Sequence, residues 1–396
     1  MRINKRIALI MALLFITTVL TSLFVVTVNA ATGNTTEFAG GTGTEDDPYL
    51  ISTKEQLNNV QNNLSAHYKL IADIIFVDAD YESSGDFYNS GKGWSPIGSS
   101  DTTPFKGTFD GAGHTITNLR IKRSSSAAVY GGLFGYNTGV IKNIGLIGGD
   151  IYVYTQKVTY VGGIAGYNAG TITNCFSSAP IYGQCGSGNN PYSRVGGIAG
   201  YSSGTIENCY NSGTIYGKAN SSYNSYLYVG GICGEGSASY CYNVGAITYS
   251  SVGSPAVARV DPIVGITRGS TSNNYYLDGC LSGSSAGLTE IQMASKSSYV
   301  NFDFSNVWLL DSYYPDEYKY PTLKIFAPEI ASIVVNNSNE VAQCLEGEFP
   351  NTIAVSITYK DGKTVTGLAN SEMFENLQPH MIGNQSVKLK YLGVES

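Results

Sequence analysis

Apolar and polar residues alternate in short runs along most of this chain, and the runs return on a fixed period. Between Gly131 and Tyr276 one phrase recurs, in outline G-G-I-x-G-Y-x-x-G-x-I-x-N-C-Y. Its copies are Gly131–Leu146, Gly162–Ser177, Gly196–Asn211, a shortened Gly230–Gly245 and a worn Asp261–Tyr276. The second glycines, Gly132, Gly163, Gly197 and Gly231, lie 31, 34 and 34 residues apart. A period of this length marks one supersecondary unit stacked on itself. In the second copy the pattern predicts three short strands, Val161–Tyr167, Thr171–Phe176 and Pro180–Gly183, separated by Asn-x-Gly or Ser-Gly turns. Segments rich in Gly, Ile, Thr and Tyr rule out helical repeats of similar period. Like residues stacked a whole repeat apart require parallel, in-register strands. The fold expected is therefore all-β, a parallel β-helix or β-solenoid, right-handed by the usual sense of parallel crossovers.

The flanks carry other patterns. Residues 38–123 read as an N-terminal cap and opening rung, 124–286 as the repeats and 287–327 as a C-terminal cap, together a solenoid over 38–327. One helix is predicted near Thr53–Leu64. Ser52 with Glu55 gives it a capping-box start, and Leu57, Val60 and Leu64 give it an apolar stripe. A helix there covers the open end of a solenoid, which otherwise exposes unpaired strand edges. Leu288–Met293 reads as a helical turn, and Trp308 with Pro321–Lys324 closes that segment. From 328 to 396 the period changes. Ile353, Val355, Ile357 and Tyr359 alternate, Asp361-Gly362 forms a hairpin turn, and Val387, Leu389 and Tyr391 alternate again. That is the pattern of a small antiparallel β-sandwich.

The N-terminus changes the compartment. Arg2, Lys5 and Arg6 precede an uncharged apolar run from Ile7 to Val28, and Val28-Asn29-Ala30 offers small residues for signal-peptidase cleavage after Ala30. Residues 1–30 thus read as a signal peptide and 31–37 as a polar linker. An uncleaved leader, long enough to span a bilayer, is the only membrane attachment the chain suggests. The net charge is −7 over the whole chain and −10 without the leader. No basic cluster remains, which argues against nucleic acid as a partner. With 47 Gly, 30 Tyr and only 13% charged residues, the surface must be largely hydroxyl, amide and aromatic. The 7 cysteines are an odd number for an exported chain. Cys175, Cys209 and Cys241 share one repeat column, where parallel Cβ directions strain a bridge. Buried thiols are expected there, with bridges through Cys185, Cys233 or Cys280 left open.

The repeats resemble the GLUG-motif family of bacterial secreted and surface proteins. Gly-Gly-Leu-Phe-Gly-Tyr136, Gly-Gly-Ile-Ala-Gly-Tyr167 and Gly-Gly-Ile-Ala-Gly-Tyr201, each followed by G-x-I-x-N, carry the likeness. Gly41–Ile51, Trp94–Gly98 and Phe105–His114 are similar to that family's usual opening, so the resemblance spans most of Phe38–Phe326. It implies architecture more than chemistry, because the motif is an accessory module in proteins of unlike activity, some bacterial IgA peptidases among them. The C-terminal unit resembles a group 3 bacterial immunoglobulin-like domain over Ile353–Thr364 and Val387–Gly393. Such domains end with one more strand than follows Tyr391–Val394 here, which implies a truncated domain or a fragment.

Four columns recur in the repeats. Asn143, Asn174, Asn208 and Asn273 suggest stacked amides forming a buried ladder. Phe176, Tyr210, Tyr242 and Tyr276 form an aromatic column beside the cysteines. Tyr152, Tyr182 and Tyr216 follow Ile151, Ile181 and Ile215, and alternation places the isoleucines inside and the tyrosines outside. These tyrosines stack between rungs in any case. Read functionally, they are an aromatic platform for sugar rings or a partner protein, which Tyr223, Tyr226 and Tyr228 on the long loop Gly217–Val229 extend. Tyr136, Tyr167 and Tyr201, at turns, read as packing.

Acidic residues offer two further candidates. Asp78, Asp80, Glu82 and Asp86 cluster oxygens as a calcium site would, but without the glycine of an EF-type loop; a solvated acidic loop is the simpler reading. Asp110 and His114 suggest a hydrolytic pair, but the bend residues of an opening turn are the simpler reading. No H-E-x-x-H, G-x-S-x-G or G-x-x-x-x-G-K-[ST] occurs, and His67, His114 and His380 are scattered, so no metal, cofactor or catalytic residue is assigned. The sequence thus points to a non-catalytic secreted or cell-surface protein that attaches to glycans or to host or neighbouring surface proteins. A polysaccharide-degrading enzyme on a β-helix and a passive surface spacer are the alternatives.

Overall fold

The computed structural model describes residues 37–186, 191–220, 225–252, 256–310, 319–327, 329–336, 353–360, 363–369, 373–375, 388–391 and 394–395. The leader at 1–30, nearly all of the linker, Tyr223, Cys344, the Asp361-Gly362 turn and His380 lie outside the described residues. Among the described residues no helix is long and apolar enough to cross a membrane.

Each repeat forms one turn of a parallel β-solenoid, and five turns stack from Val129 to Tyr276. A turn holds five short strands where three were expected. In the second rung they are Val158–Val161 (sheet 1), Ala165–Asn168 (sheet 2), Thr171–Thr173 (sheet 3), Phe176–Ser177 (sheet 4) and Ile181–Cys185 (sheet 5). Two local devices split the predicted strands. Gly163 sits at the corner between sheets 1 and 2, where a Cβ would lie 2.7 Å from the carbonyl oxygen of Gly197 on the next rung. Only glycine allows that backbone approach. Asn174, at φ +53°, turns the chain between sheets 3 and 4.

The register matches the repeat. Ile151 pairs with Ile181 and Ile181 with Ile215, and all three are buried. Ile164, Ile198 and Ile232 form another buried column, as do Ile141, Ile172 and Ile206, and Cys175, Cys209 and Cys241. Each isoleucine contributes about 1.5–3 kcal/mol by leaving water. The buried amide ladder exists, but not in the predicted column. Asn143, Asn174, Asn208 and Asn273 are half-buried and occupy the left-handed region (φ +52° to +56°), where asparagine is the best-tolerated residue after glycine. Asn174 does bond Asn143 (Nδ2 to Oδ1, 3.2 Å). The fully buried ladders lie elsewhere. Asn137 donates to Asn168 at 2.8 Å and Asn168 to Ser202 at 3.0 Å, while Asn211 donates to Asn243 at 2.8 Å.

At one corner the solenoid flattens into a two-layer arm. Sheets 1 and 5 pack face to face, with glycine opposite valine. A Cβ on Gly183 would come within 2.6 Å of Val161 and Val195, and one on Gly217 within 2.4 Å of Val229. The outer surfaces of sheets 1 and 5 therefore face opposite ways.

The predicted helix is shorter than expected. It spans Lys54–Asn59 and runs on as a 3₁₀ turn, Val60–Asn62. Thr53, not Ser52, caps it; the Ser52 backbone N–H instead donates to the Gln56 side-chain oxygen Oε1 at 2.8 Å. Leu57 and Val60 enter the solenoid core. The segment expected as a C-terminal cap runs back along the flank. The Glu290–Met293 helix, Trp308 and Phe326 cover the outer face of sheet 4 from the fifth rung toward the second. Beyond it, Ile330–Val335, Ala354–Tyr359 and Thr364–Leu368 form one antiparallel sheet, and Phe374–Glu375, Lys388–Tyr391 and Val394–Glu395 another. The sandwich pattern is compatible with these sheets.

The two asparagine columns should respond differently to substitution. Asn168→Ala leaves one buried N–H of Asn137 without its acceptor and removes the donor to Ser202, although Asn137 keeps Gly139 and Ser202 keeps Gly204 O. It is expected to cost about 2–4 kcal/mol in guanidinium unfolding. Asn174→Gly, which keeps the left-handed turn, should change stability by about 0.5 kcal/mol or less. Equal losses at both positions would show that the two columns do the same work.

Candidate functional site: the tyrosine faces of the arm

Alternation on the arm's strands sends every second side chain outward, and tyrosine dominates both outer faces. On sheet 5, Tyr152, Tyr182 and Tyr216 are in register and half-buried, with ring centroids 4.6 and 4.8 Å apart and planes within 18°. Tyr182 donates its hydroxyl to Gln184 Oε1 at 2.8 Å. Face-stacked rings cover one another's faces, so this column presents ring edges and hydroxyls rather than the flat platform expected.

Tyr226 and Tyr228 do not extend it. They lie on the strand Ser225–Gly230 of sheet 1, not on a loop, and face the other side of the arm. Tyr226 stacks on Tyr192 at 4.4 Å. Tyr228 is nearly buried.

The sheet 1 side holds a cluster that the sequence reading missed. Tyr130 stacks on Tyr160 at 5.0 Å, and in the adjoining sheet 2 Tyr136 stacks on Tyr167 at 4.3 Å, with Tyr201 4.6 Å beyond. Tyr160 and Tyr167 meet edge to face. In the third rung Arg194 takes the place of the column's tyrosine. Its guanidinium lies 4.9–5.6 Å from the ring centroids of Tyr192, Tyr160, Tyr201 and Tyr228. It also pairs with Glu235, which is almost buried and is held from the other side by Arg268 Nε at 3.0 Å. Cation–ring contacts and a shared carboxylate fix Arg194 in a half-desolvated position. The signal was present but offset: Tyr160, Arg194 and Tyr228 each precede a Val-Gly-Gly, whereas Tyr130, in the same column, adjoins its Gly-Gly directly.

The fourth aromatic column is closed to solvent. Phe176, Tyr210 and Tyr242 stack at 4.9 and 5.0 Å, and the flanking segment lies on them. Its fifth-rung member is Tyr275, not Tyr276, because Tyr242 pairs with Tyr275.

The acidic candidates separate. Among the described residues no group of three or more His, Cys, Asp or Glu could hold a metal. Asp78 pairs with Arg120, while Asp80 turns inward to Lys54 and the Val77 N–H. Burial works to raise the Asp80 pKa, but Lys54 and the Val77 bond outweigh it and hold the carboxyl below its usual value. Neither Glu82 nor Asp86 completes a site with them. Asp110 accepts from Ala112 N–H at 2.8 Å and Asn143 Nδ2 at 3.0 Å and meets Lys142 at 3.3 Å, whereas His114 meets Asp73. These are the contacts of a bend, and the two residues are not partnered as a hydrolytic pair. Cys175, Cys185, Cys209, Cys233, Cys241 and Cys280 are all buried free thiols.

Comparison with known proteins agrees with the repeat geometry. The family described as "The GLUG motif" matches residues 158–181 and 192–216. Those residues are the second and third rungs. Of curated relatives, the chain is 39% identical over 120 residues to the "Putative Gly-rich membrane protein" of Evansella cellulosilytica, covering 29% of this chain and 13% of that protein. It is 41% identical over 113 residues to "Halomucin" of Haloquadratum walsbyi, covering 27% of this chain and 1% of halomucin. The chain thus spans a small part of either relative. Among solved structures it is similar to "a putative immunoglobulin A1 protease from Bacteroides ovatus", with TM-score 0.47 and 21% identity over 73% of this chain and 96% of that one.

Two measurements test the electrostatics around the GLUG rungs. Arg194→Ala leaves Glu235 with only the exposed Arg268 and should lower unfolding free energy by about 2–4 kcal/mol, whereas Arg268→Ala should cost less than about 1 kcal/mol. The second concerns alkaline pH. Burial pushes the thiols of Cys185 and Cys233 up to about 12, that of Cys280 to about 11, and the Tyr130 phenol to about 12. A group whose folded pKa is raised adds stability that is complete below its unfolded pKa and is lost as pH climbs through the folded one. The urea midpoint should therefore hold from pH 7 to about 8.5 and fall steadily from about 9 to 12. A flat profile across that interval would show these groups reaching solvent in the native state.

Proposed function

We propose that this chain is the binding region of an exported surface protein, and that it attaches without catalysis to glycans or to proteins on neighbouring surfaces. The observation that carries the proposal is the pair of outward tyrosine faces on the thin arm, one on sheet 5 and one across sheets 1 and 2. Stacked rings present a row of phenol edges, each tipped with a group that both donates and accepts. Successive rungs repeat that row at 4.6 and 4.8 Å. Such a surface suits a polymer of hydroxyl-bearing units, because many weak contacts along a rigid solenoid add up. Tyrosine supports the role by offering a large amphipathic contact with little side-chain entropy to lose. The similarity of 120 and 113 residues of this chain to a glycine-rich membrane protein and to halomucin supports a surface location. The antiparallel sheets after Ile330 serve as an immunoglobulin-like module.

The test is electrophoresis of the purified chain through native gels cast with single polysaccharides and afterwards stained for polymer. Retardation with the polymer intact is the expected result. Replacing Tyr152, Tyr182 and Tyr216 together by Phe keeps the stack but removes the hydroxyls, and should weaken retardation several-fold. Polymer cleared behind the band would overturn the non-catalytic reading. Free migration through every gel would remove glycans and leave a protein partner or a spacer.

A further inference from the structure

We infer that the cleft beside the first rung, floored by Arg123, binds the carboxylate of an acidic saccharide; the inference rests on the glycan reading and names the chemical class of the ligand. The cleft has a volume of about 450 Å³ and lies between the opening segment (Lys92, Ser95, Pro96, Ser99) and the residues around Arg123 and Tyr130. Among the described residues that line it none is acidic, although Asp101 stands near enough to Tyr130 to help raise its pKa; the chain's net charge is −7.

Arg123 is the unusual member. Arg120, Arg194 and Arg268 each face a carboxylate and Arg259 is exposed, but Arg123 is half-buried and among the described residues no carboxylate lies within ion-pair distance of it. Its Nη2 donates to Trp94 O at 3.0 Å and Ser95 Oγ at 2.8 Å. Those two bonds fix the guanidinium plane against the cleft wall. Nε is buried without an acceptor, and among the described residues Nη1 has no acceptor. Burial lowers the pKa of the group. A half-desolvated guanidinium held in one orientation and lacking its counter-ion is prearranged for a carboxylate, which Nη1 meets through a single charge-assisted hydrogen bond. Forming that pair also restores the electrostatic partner that desolvation has removed.

The rest of the cleft favours a sugar acid over a bare anion. Gln61, Ser95, Ser99, Ser124 and Ser125 bring amide and hydroxyl groups to the same space, as a ring bearing several hydroxyls requires. Tyr130 lines the cleft and is also the first ring of the sheet 1 stack. A chain of sugars seated on Arg123 therefore continues onto the tyrosine face without leaving a polar, aromatic surface. Lys92, exposed at the rim, adds a second positive charge.

The experiment is calorimetric titration of the intact chain with a panel of uronic-acid oligosaccharides (oligogalacturonate, oligomannuronate and hyaluronan fragments), each beside its carboxyl-reduced counterpart, with sodium acetate as the bare carboxylate. At least one acidic oligosaccharide should bind about tenfold or more tightly than its reduced form, the scale of one charge-assisted contact. Arg123→Gln should abolish that preference and leave binding of the reduced form unchanged. Because Arg123 also braces the opening segment, Lys92→Gln at the exposed rim provides a variant that keeps the fold, and should narrow the preference several-fold. If every acidic oligosaccharide binds no better than its reduced form, the inference is overturned while the glycan reading stands. Competition by acetate at equal concentration would likewise overturn it, since the cleft would then take any carboxylate. Absence of binding by all oligosaccharides, together with free migration in the polysaccharide gels, would sink both readings.

Discussion

Parallel, in-register stacking of one rung on the next governs this molecule. Strands hydrogen-bonded in this way lie about 4.8 Å apart, so a side chain's nearest neighbour is the residue at the same position one repeat away. Any type that tolerates its own company at that distance becomes a column. Isoleucine fills the core, buried asparagine satisfies itself through amide ladders, and tyrosine stacks ring on ring. The same constraint makes glycine obligatory at the corner after sheet 1, where successive backbones nearly touch. It also limits what the tyrosine columns can offer, since rings 4.4–4.8 Å apart have no free faces between them.

Similar columns meet different ends according to what lies over them. The Phe176–Tyr210–Tyr242 stack is sealed by Trp308 and Phe326 and belongs to a second apolar core that binds the returning segment to the solenoid's flank. The Tyr152–Tyr182–Tyr216 stack has the same geometry but stays half-open to solvent. Stacking alone therefore says nothing about function. The covering segment separates aromatic columns that hold the fold together from those left available to a partner.

Period and phase were legible in the sequence because the repeat itself encodes them: the rung count, the inward isoleucines and the outward tyrosines of sheet 5 all follow from alternation. Features set by backbone conformation were not. Asn174 and Asn168 look equivalent as letters, yet the first is chosen for a left-handed turn and the second for a buried amide pair. Reading the wrong column as the ladder follows from that ambiguity. Three strands became five because Gly-Gly and a left-handed Asn interrupt runs whose alternation looks continuous. The one-residue slip at Tyr276 arose in the worn fifth copy, where the cysteine that marks the column is replaced by Asn274. The arm's thinness depends on Gly183 meeting Val195 across two sheets, a contact between positions that no local pattern relates. For that reason Tyr226 and Tyr228 were grouped with tyrosines that face the other way.

In a structure built from columns, information resides in the departures. Arg194 interrupts the Tyr130–Tyr160 column and Glu235 interrupts the Tyr136–Tyr167–Tyr201 column one rung later. Neither charge is tolerable alone in so desolvated a place, and the two interruptions sit diagonally so that each neutralises the other. That pair is internally satisfied and therefore structural. Arg123 is also a charge placed where burial disfavours it, but no described carboxylate answers it, only Trp94 O and Ser95 Oγ. By the logic that makes Arg194 and Glu235 a matched pair, a guanidinium in a polar cleft without a carboxylate beside it is the departure that the acidic-saccharide proposal accounts for.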